Sequence, residues 1–164
     1  MDFMKKYEYW LNSDSIDEKD KEELRGLKDN PKEIEDRFFK DLSFGTGGIR
    51  GVRGIGTNRI NKYVIRKATQ GLANYMLTFN EKEAKEQGII IAHDCRIGSR
   101  EYALNTARVM AANGIKAYIY EDLRSTPELS FGVRYKGTMA GIVVTASHNP
   151  VEYNGYKVYW NDGA

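Results

Sequence analysis

Apolar residues fall into two rhythms along this chain. Between residues 61 and 79, Val64, Ala68, Leu72, Tyr75, Met76 and Phe79 recur at steps of three and four, the spacing of one helix face. The run Gly88-Ile89-Ile90-Ile91-Ala92 is short, continuously apolar and ends at His93-Asp94, as a buried strand does. Ile115 to Tyr120 and Met139 to Thr145 read as two further strands, and Tyr156 to Trp160 alternates as a short fourth. Between them, Ser99 stands as the cap of a helix running to Ala112, with Gly114 just past its end. Thr126-Pro127 opens another helix that reaches about Tyr135.

Strands alternating with helices predict an α/β fold. The expected form is three layers, α/β/α, around a mixed, mostly parallel sheet of about four strands. In such sheets ligands gather beyond the carboxyl ends of the strands. Two polar loops stand at such ends, His93 to Ser99 and Ala146 to Pro150. The beginning of the chain has a different character. Residues 3–27 read as a polar helix or helix pair, with Tyr7, Trp10 and Leu11 on one face and Leu24 and Leu27 in a second piece. Asn30-Pro31 restarts a helix that keeps Ile34, Phe38, Phe39 and Leu42 in register. Residues 1–43 are therefore expected to form a helical extension packed on a core domain of residues 44–164. At the junction, Phe44 to Asn58 breaks all periodicity with six glycines and reads as a loop, with room for a short extended piece.

Composition changes this picture only in places. The chain has 164 residues, 41% hydrophobic and 29% charged, which is ordinary for one globular domain. No apolar run approaches the roughly 18–20 residues of a membrane span, and the start is polar and acidic rather than signal-like. The expected setting is cytoplasmic, with no membrane partner. A single cysteine, Cys95, excludes an internal disulfide and a Cys-rich zinc site, and reads as a small buried residue. The net charge of +2 conceals an asymmetry: residues 1–43 carry 9 basic and 13 acidic groups, residues 44–164 carry 16 and 10. Arg50, Arg53, Arg59, Lys62, Arg66 and Lys67 follow one another with no acid between residues 44 and 80. This predicts a local cationic field and an anionic ligand. The bases are not interleaved with exposed aromatics and the total charge is modest, so nucleic acid is not the expected partner.

Four segments hold candidate chemistry. Glycines 45, 47, 48 and 51 let backbone N–H groups approach a phosphate, and Arg50 and Arg53 add charged donors. The bland alternative is a connector whose arginines face water. No strand leads directly into this loop and no Gly-Lys-Ser/Thr follows, so it is neither a Walker loop nor a dinucleotide fingerprint. Ser147 follows an apolar strand and is trailed by His148, Asn149 and Pro150. It suits a nucleophile or phosphate carrier, and equally a plain strand-to-loop turn capped by Asn149. It is not the hydrolase elbow, because the flanking glycines are absent. Lys157 sits on the last strand, where lowered basicity would fit it for acid–base work and a solvated position would not. His93 reads as a structural strand-end histidine, and Arg96 and Arg100 flank a helix start, where they orient the loop or meet an anion.

Taken together, these segments resemble the α-D-phosphohexomutase superfamily, which includes the bacterial phosphoglucomutases and phosphomannomutases. Thr145-Ala146-Ser147-His148-Asn149-Pro150 matches its phosphoserine signature. Phe44-Gly45-Thr46-Gly47-Gly48-Ile49-Arg50-Gly51 is similar to its N-terminal loop, His93-Asp94-Cys95-Arg96 to its Asp-x-Arg turn, and Asn154-Gly155-Tyr156-Lys157 to the segment supplying an active-site lysine. The resemblance implies that Ser147 carries a phosphoryl group, passes it to a hexose phosphate and recovers the other phosphoryl of a bisphosphate. Lys157, His148 and Arg50 become the catalytic candidates. Arg50, Thr46, Gly47, Arg96 and Asn149 become the candidates for holding substrate phosphate. Mg2+ is implied through the phosphate on Ser147 together with an acidic loop, and a glucose 1,6-bisphosphate-type activator is implied as well.

The family has four domains. This sequence contains no Asp-Gly-Asp-x-Asp-Arg metal loop, no Glu-x-Ser-Gly-His sugar loop and no C-terminal phosphate loop. The resemblance therefore covers about residues 44–157 and makes the chain the first domain, with downstream domains of the same polypeptide as its partners. Alone, it is not expected to turn over substrate. Competing readings are a phosphopentomutase or phosphoglucosamine mutase of the same superfamily, a non-catalytic anion-binding module built on residues 44–67, and a serine hydrolase, the last disfavoured by the lack of a separate histidine–acid pair.

Overall fold

The computed structural model describes residues 2–164. The elements in chain order are α1 (Phe3–Asn12), α2 (Glu18–Arg25), α3 (Pro31–Phe38), β1 (Ile49–Val52), α4 (Lys62–Gln87), β2 (Ile89–His93), α5 (Ser99–Ala112), β3 (Ala117–Ile119), α6 (Thr126–Lys136), β4 (Ala140–Val144) and β5 (Tyr153–Trp160). The sheet order is β1-β5-β4-β2-β3. Buried β2 and β4 pair in parallel, as do β2 and β3, while β5 runs antiparallel to both β4 and β1. The sheet is thus mixed, with five strands. The additional strand is β1, inside the glycine-rich segment.

Helices cover both faces. Ile65, Ala73 and Met76 of α4 and Ala103 and Met110 of α5 pack with Ile89, Ile91, Ile142 and Tyr156 on one side. Leu129 and Val133 of α6 pack with Ile90, Ala92 and Val143 on the other. The buried face of α4 is Ile65, Thr69, Ala73 and Met76, one position round from the stripe that the spacing predicts. Tyr75 and Phe79 are exposed instead. Both stripes are apolar; the one carrying Thr69 and Ala73 is smaller and lets the helix lie closer to the sheet. Helical dihedrals break at Asn80, just past the predicted helix end, and the Asn80 side chain caps the second helical segment, which runs to Gln87, by accepting from the Glu83 N–H.

The N-terminal helices build a core of their own from Tyr7, Trp10, Ile16, Leu24, Ile34 and Phe38, joined by Ile55 of the connecting segment. Trp10 meets Phe38 and the α4 residue Tyr63 edge-on, at 5.7 and 5.4 Å between ring centroids. Complete burial of Phe38 alone stabilises this packing by about 1.5–3 kcal/mol. Charge does the rest. Lys62 is held by Asp17 and Asp20, Lys67 and Lys6 share Asp41, and Arg59 pairs with Asp36. The two lysines hold the Asp41 carboxyl down at about 2. Three of the six cations in the acid-free stretch are therefore neutralised by acids of residues 1–43. They fasten the extension to α4 and its approach, Arg59 and Lys62 from largely buried positions and Lys67 from an exposed one.

Candidate functional site

β2 and β4 are neighbours at the centre of the sheet, and the chain leaves them in opposite directions, from β2 through α5 to β3 on one side and from β4 to β5 on the other. Their carboxyl ends therefore open the crevice where α/β sheets collect ligands. The loop after β2 carries Asp94 and Arg96, and the loop after β4 carries Ser147. Arg50 on β1 stands opposite Gly155 of β5, and Lys157 follows two residues further along β5. Residues two apart share a face, so Arg50 and Lys157 lie on the same side of the sheet as Val143.

Ser147 is exposed and is the one non-glycine among the described residues with a positive φ, 57°. Its N–H donates to the Thr145 hydroxyl at 2.9 Å. Its own hydroxyl lies 3.5 Å from His148 Nδ1, a long contact that leaves the oxygen free. Asn149 Oδ1 accepts from Arg50 Nη1 at 3.4 Å, which ties the serine loop to β1. Lys157 is half-buried, and burial first, then the Arg50 guanidinium, lower its pKa from the usual lysine value.

Phe44 to Gly48 and Lys157 line one recess of about 300 Å³, so Thr46 and Gly47 do reach Lys157. Gly48 makes this approach possible. At φ +90° its backbone lies so close to β5 that a Cβ would stand 2.4 Å from the Tyr156 carbonyl oxygen. The Arg50 guanidinium folds back beneath Gly47, where a Cβ would come within 2.9 Å of Nη2. Below Lys157, the buried Tyr156 hydroxyl bonds the Thr69 hydroxyl at 3.0 Å and pins the strand to α4.

Arg96 engages the serine loop, the first of the two roles that its position offers. Nη1 donates to the carbonyls of Pro150 and Tyr153, Nη2 to those of Ser147 and Asn149, and Nε faces Asp94 Oδ2 at 3.3 Å. Four guanidinium N–H groups are thus hydrogen-bonded to backbone carbonyls of the serine loop, with Nε in an ion pair with Asp94. Ser99 differs from its expected role: Gly98 is the cap of α5, and the Ser99 hydroxyl donates to Asp94 Oδ1 at 2.7 Å. Cys95 is exposed rather than buried. His93 is buried, with Nδ1 3.0 Å from the Asp94 carbonyl, in keeping with a structural histidine. Residue type and spacing did not single out Thr145, Asp94, Ser99 or Asn154 for the site. Asp94, Thr145 and Asn154 carried a signal only as members of the matched motifs.

A larger cavity, about 990 Å³, lies elsewhere, between α1, α4 and the segment before β1, with Trp10, Leu42, Tyr63, Leu72 and Val158 in its walls. Ser147, Arg50 and Lys157 do not line it. Val158 alternates to the opposite face from Lys157.

Residues 41–164 match the family model for phosphoglucomutase/phosphomannomutase, alpha/beta/alpha domain I. The chain belongs to this family. A phosphoglucomutase of Staphylococcus haemolyticus (strain JCSC1435) is 46% identical over 130 residues, covering 79% of this chain and 23% of the relative. The phosphoglucomutase of Staphylococcus aureus (strain USA300) is 43% identical over 143 residues, covering 86% and 25%. A crystal structure of a Thermus thermophilus protein assigned as a phosphomannomutase superposes with a TM-score of 0.67 at 27% identity, over 76% of this chain and 27% of that one. This family member thus spans about a quarter of the length of the phosphoglucomutases it matches.

Proposed function

We propose that this chain is the phosphoserine-bearing domain of a phosphoglucomutase, which interconverts sugar 1-phosphate and 6-phosphate through a bisphosphate. Residues 44–164 form that domain, residues 1–43 its helical extension, and the rest of the polypeptide supplies sugar specificity. The family match beginning at residue 41 supports this division, and the names of the relatives favour glucose over pentose or glucosamine. The observation that carries the reading is the convergence on Ser147: an exposed hydroxyl in a loop joined through Asn149 to Arg50, which in turn shares a sheet face with Lys157.

In the forward half-reaction the bond from phosphorus to Ser147 Oγ breaks and one to a sugar hydroxyl forms. The hydroxyl proton passes to the Lys157 amine, which its lowered pKa keeps more readily neutral. The departing Oγ regains a proton, with His148 beside it as donor. Arg50 and the backbone N–H groups around Thr46 and Gly47 hold the transferring charge, which is most of what phosphoryl transfer requires. The bisphosphate reorients and returns its other phosphoryl to Ser147, so free glucose 1,6-bisphosphate acts as activator.

Family membership carries Mg2+ with it. No group of three His, Cys, Asp or Glu among the described residues could hold a metal, and Asp94 is engaged by Ser99 and Arg96. This chain fits the ion only through a phosphate on Ser147, with the acidic ligands lying outside this sequence. When bound, the ion supplies charge neutralisation at the phosphoryl oxygens. No helix among the described residues is long and apolar enough to cross a membrane. The lone cysteine is in keeping with a cytoplasmic setting.

The test is Ser147→Ala in the full-length protein. Mutase activity is expected to fall at least about 100-fold, the low end for losing one catalytic group. Intact mass should show one phosphate on the wild type and none on the variant. Near-normal activity, or phosphate mapped to another residue, overturns the assignment.

A further inference from the structure

Arg96 is built into the serine loop more thoroughly than any other cation of the site. Its guanidinium donates to four carbonyls from one short stretch, at 2.8 Å from Pro150, 3.1 Å from Tyr153, 2.9 Å from Ser147 and 2.6 Å from Asn149. Its side chain is only 14% exposed. Behind it, Asp94 faces Nε and accepts from the Arg96 N–H at 3.0 Å and from the Ser99 hydroxyl at 2.7 Å. Asn154, fully buried on β5, donates to that same hydroxyl at 2.9 Å and to the Ile97 carbonyl at 3.2 Å. The chain of contacts runs from the start of β5 through Ser99 and Asp94 into Arg96, and from there to the backbone on both sides of the exposed serine.

The loop needs such support. Ser147 holds a left-handed conformation that L-residues resist, and its own hydroxyl does not fix it. Two outside groups do so: the Thr145 hydroxyl accepts from its N–H, and Arg96 donates to its C=O. A guanidinium suits this position because its planar fork serves several acceptors at fixed angles, which a lysine ammonium does not.

We propose that Arg96, oriented by Asp94, Ser99 and Asn154, is a positioning residue that holds the Ser147 backbone in its left-handed conformation and so fixes where the phosphoryl-carrying oxygen stands. This deepens the reading of Ser147 as carrier and rests on it. Arg96 touches neither substrate nor phosphate; Arg50 and Lys157 do that. Its loss therefore acts on the chemical step and not on sugar phosphate affinity, since a misplacement of about 1 Å costs on the order of 100-fold in rate.

The experiment uses the full-length protein with Arg96→Ala and Arg96→Lys. The expected result for Arg96→Ala is a fall in kcat of about 100-fold, with KM for glucose 1-phosphate held within about threefold. Arg96→Lys, which keeps the charge and loses the fork, should fall nearly as far, and added guanidinium ion should restore part of the activity of Arg96→Ala. Backbone amide signals of Ser147 and Asn149 should shift and exchange faster in both variants. If Arg96→Ala does not fold, Ser99→Ala, which removes one support behind Asp94, should show the same pattern more weakly. A rise in KM with kcat unchanged, or full activity in Arg96→Lys, would mean that a charge on the substrate phosphate is what matters and would overturn the proposal. Unaltered loop amides would overturn it too. The amide readout does not depend on catalysis, so if Ser147→Ala retains activity the carrier reading fails while the loop-holding role of Arg96 is still decided.

Discussion

Gly155 lies directly across the β1–β5 pair from Arg50, at a point where backbone on both sides leaves no room for a side chain. A Cβ at Gly155 would stand 2.6 Å from the Ile49 carbonyl oxygen, 2.7 Å from that of Thr145 and 3.2 Å from Arg50 Cγ. The first two neighbours are backbone in adjacent segments of the sheet and cannot step aside. Gly155→Ala should therefore push β1 and β4 away from β5, move Arg50 off Asn149, and destabilise the domain by about 1–3 kcal/mol. Gly71, on the exposed side of α4, is the contrast, since a Cβ there would meet nothing within 4 Å. Gly71→Ala should stabilise by about 0.5–1 kcal/mol through helix propensity alone. Urea midpoints of the two variants against wild type give the comparison, and equal effects would refute the steric account.

Lys157 and Arg50 share a face, and their proximity has a pH signature. The pKa of Lys157 is lowered, by burial first and by Arg50 second. Between that lowered value and the ordinary lysine value of 10.5, the unfolded chain binds more protons than the folded one, so stability rises with pH across this window. Below the window, the cost of holding the ammonium in place is fully present. Lys157→Met should remove that cost at neutral pH and abolish the rise. Arg50→Met should move the Lys157 pKa only part of the way back, because burial remains. Denaturation midpoints from pH 7 upward and side-chain NMR titration of Lys157 measure both, and a Lys157 that titrates normally in the wild type would remove the basis for its acid–base role.

The elements that sequence made visible are those stabilised by their own residues. β2 and β4 announce themselves as apolar runs because both are buried on both faces, and α3 and α6 through Asn30-Pro31 and Thr126-Pro127, although the cap of α6 is Ser125. Strand β1 was legible only as room for a short extended piece, because Ile49-Arg50-Gly51-Val52 has little strand character alone; its pairing with β5 makes it a strand. A mixed sheet was expected, but which strands run antiparallel was not legible, since strand direction depends on partners remote in sequence. In the site, Ser147, Arg50 and Lys157 stood out by residue type and motif. Arg96 was open to orienting a loop or meeting an anion, and the choice was not legible, because its acceptors are backbone carbonyls 51 to 57 residues away, which no side-chain pattern encodes. The cationic stretch misled in the opposite direction: its charges were legible, but their partners Asp17, Asp20, Asp36 and Asp41 lie in the acidic extension.

The strained serine gives a prediction that separates stability from chemistry. A φ of 57° costs any residue with a Cβ about 1–2 kcal/mol relative to an ordinary conformation. Glycine escapes that cost, though it loses part of the gain through the greater freedom of its unfolded chain. Ser147→Gly should accordingly be more stable than Ser147→Ala by about 0.5–1 kcal/mol, and at least as stable as wild type. Both variants lack the oxygen that carries the phosphoryl group, so both should be equally inactive in the full-length protein. The two substitutions thus differ in denaturation midpoint and agree in mutase rate. Such a result would show that the native loop stores strain at the residue doing the chemistry, with Thr145 and Arg96 holding it there. An alanine variant as stable as the glycine variant would mean that the loop relaxes once the hydroxyl is gone, and that its left-handed turn is set by the serine itself and not by the residues around it.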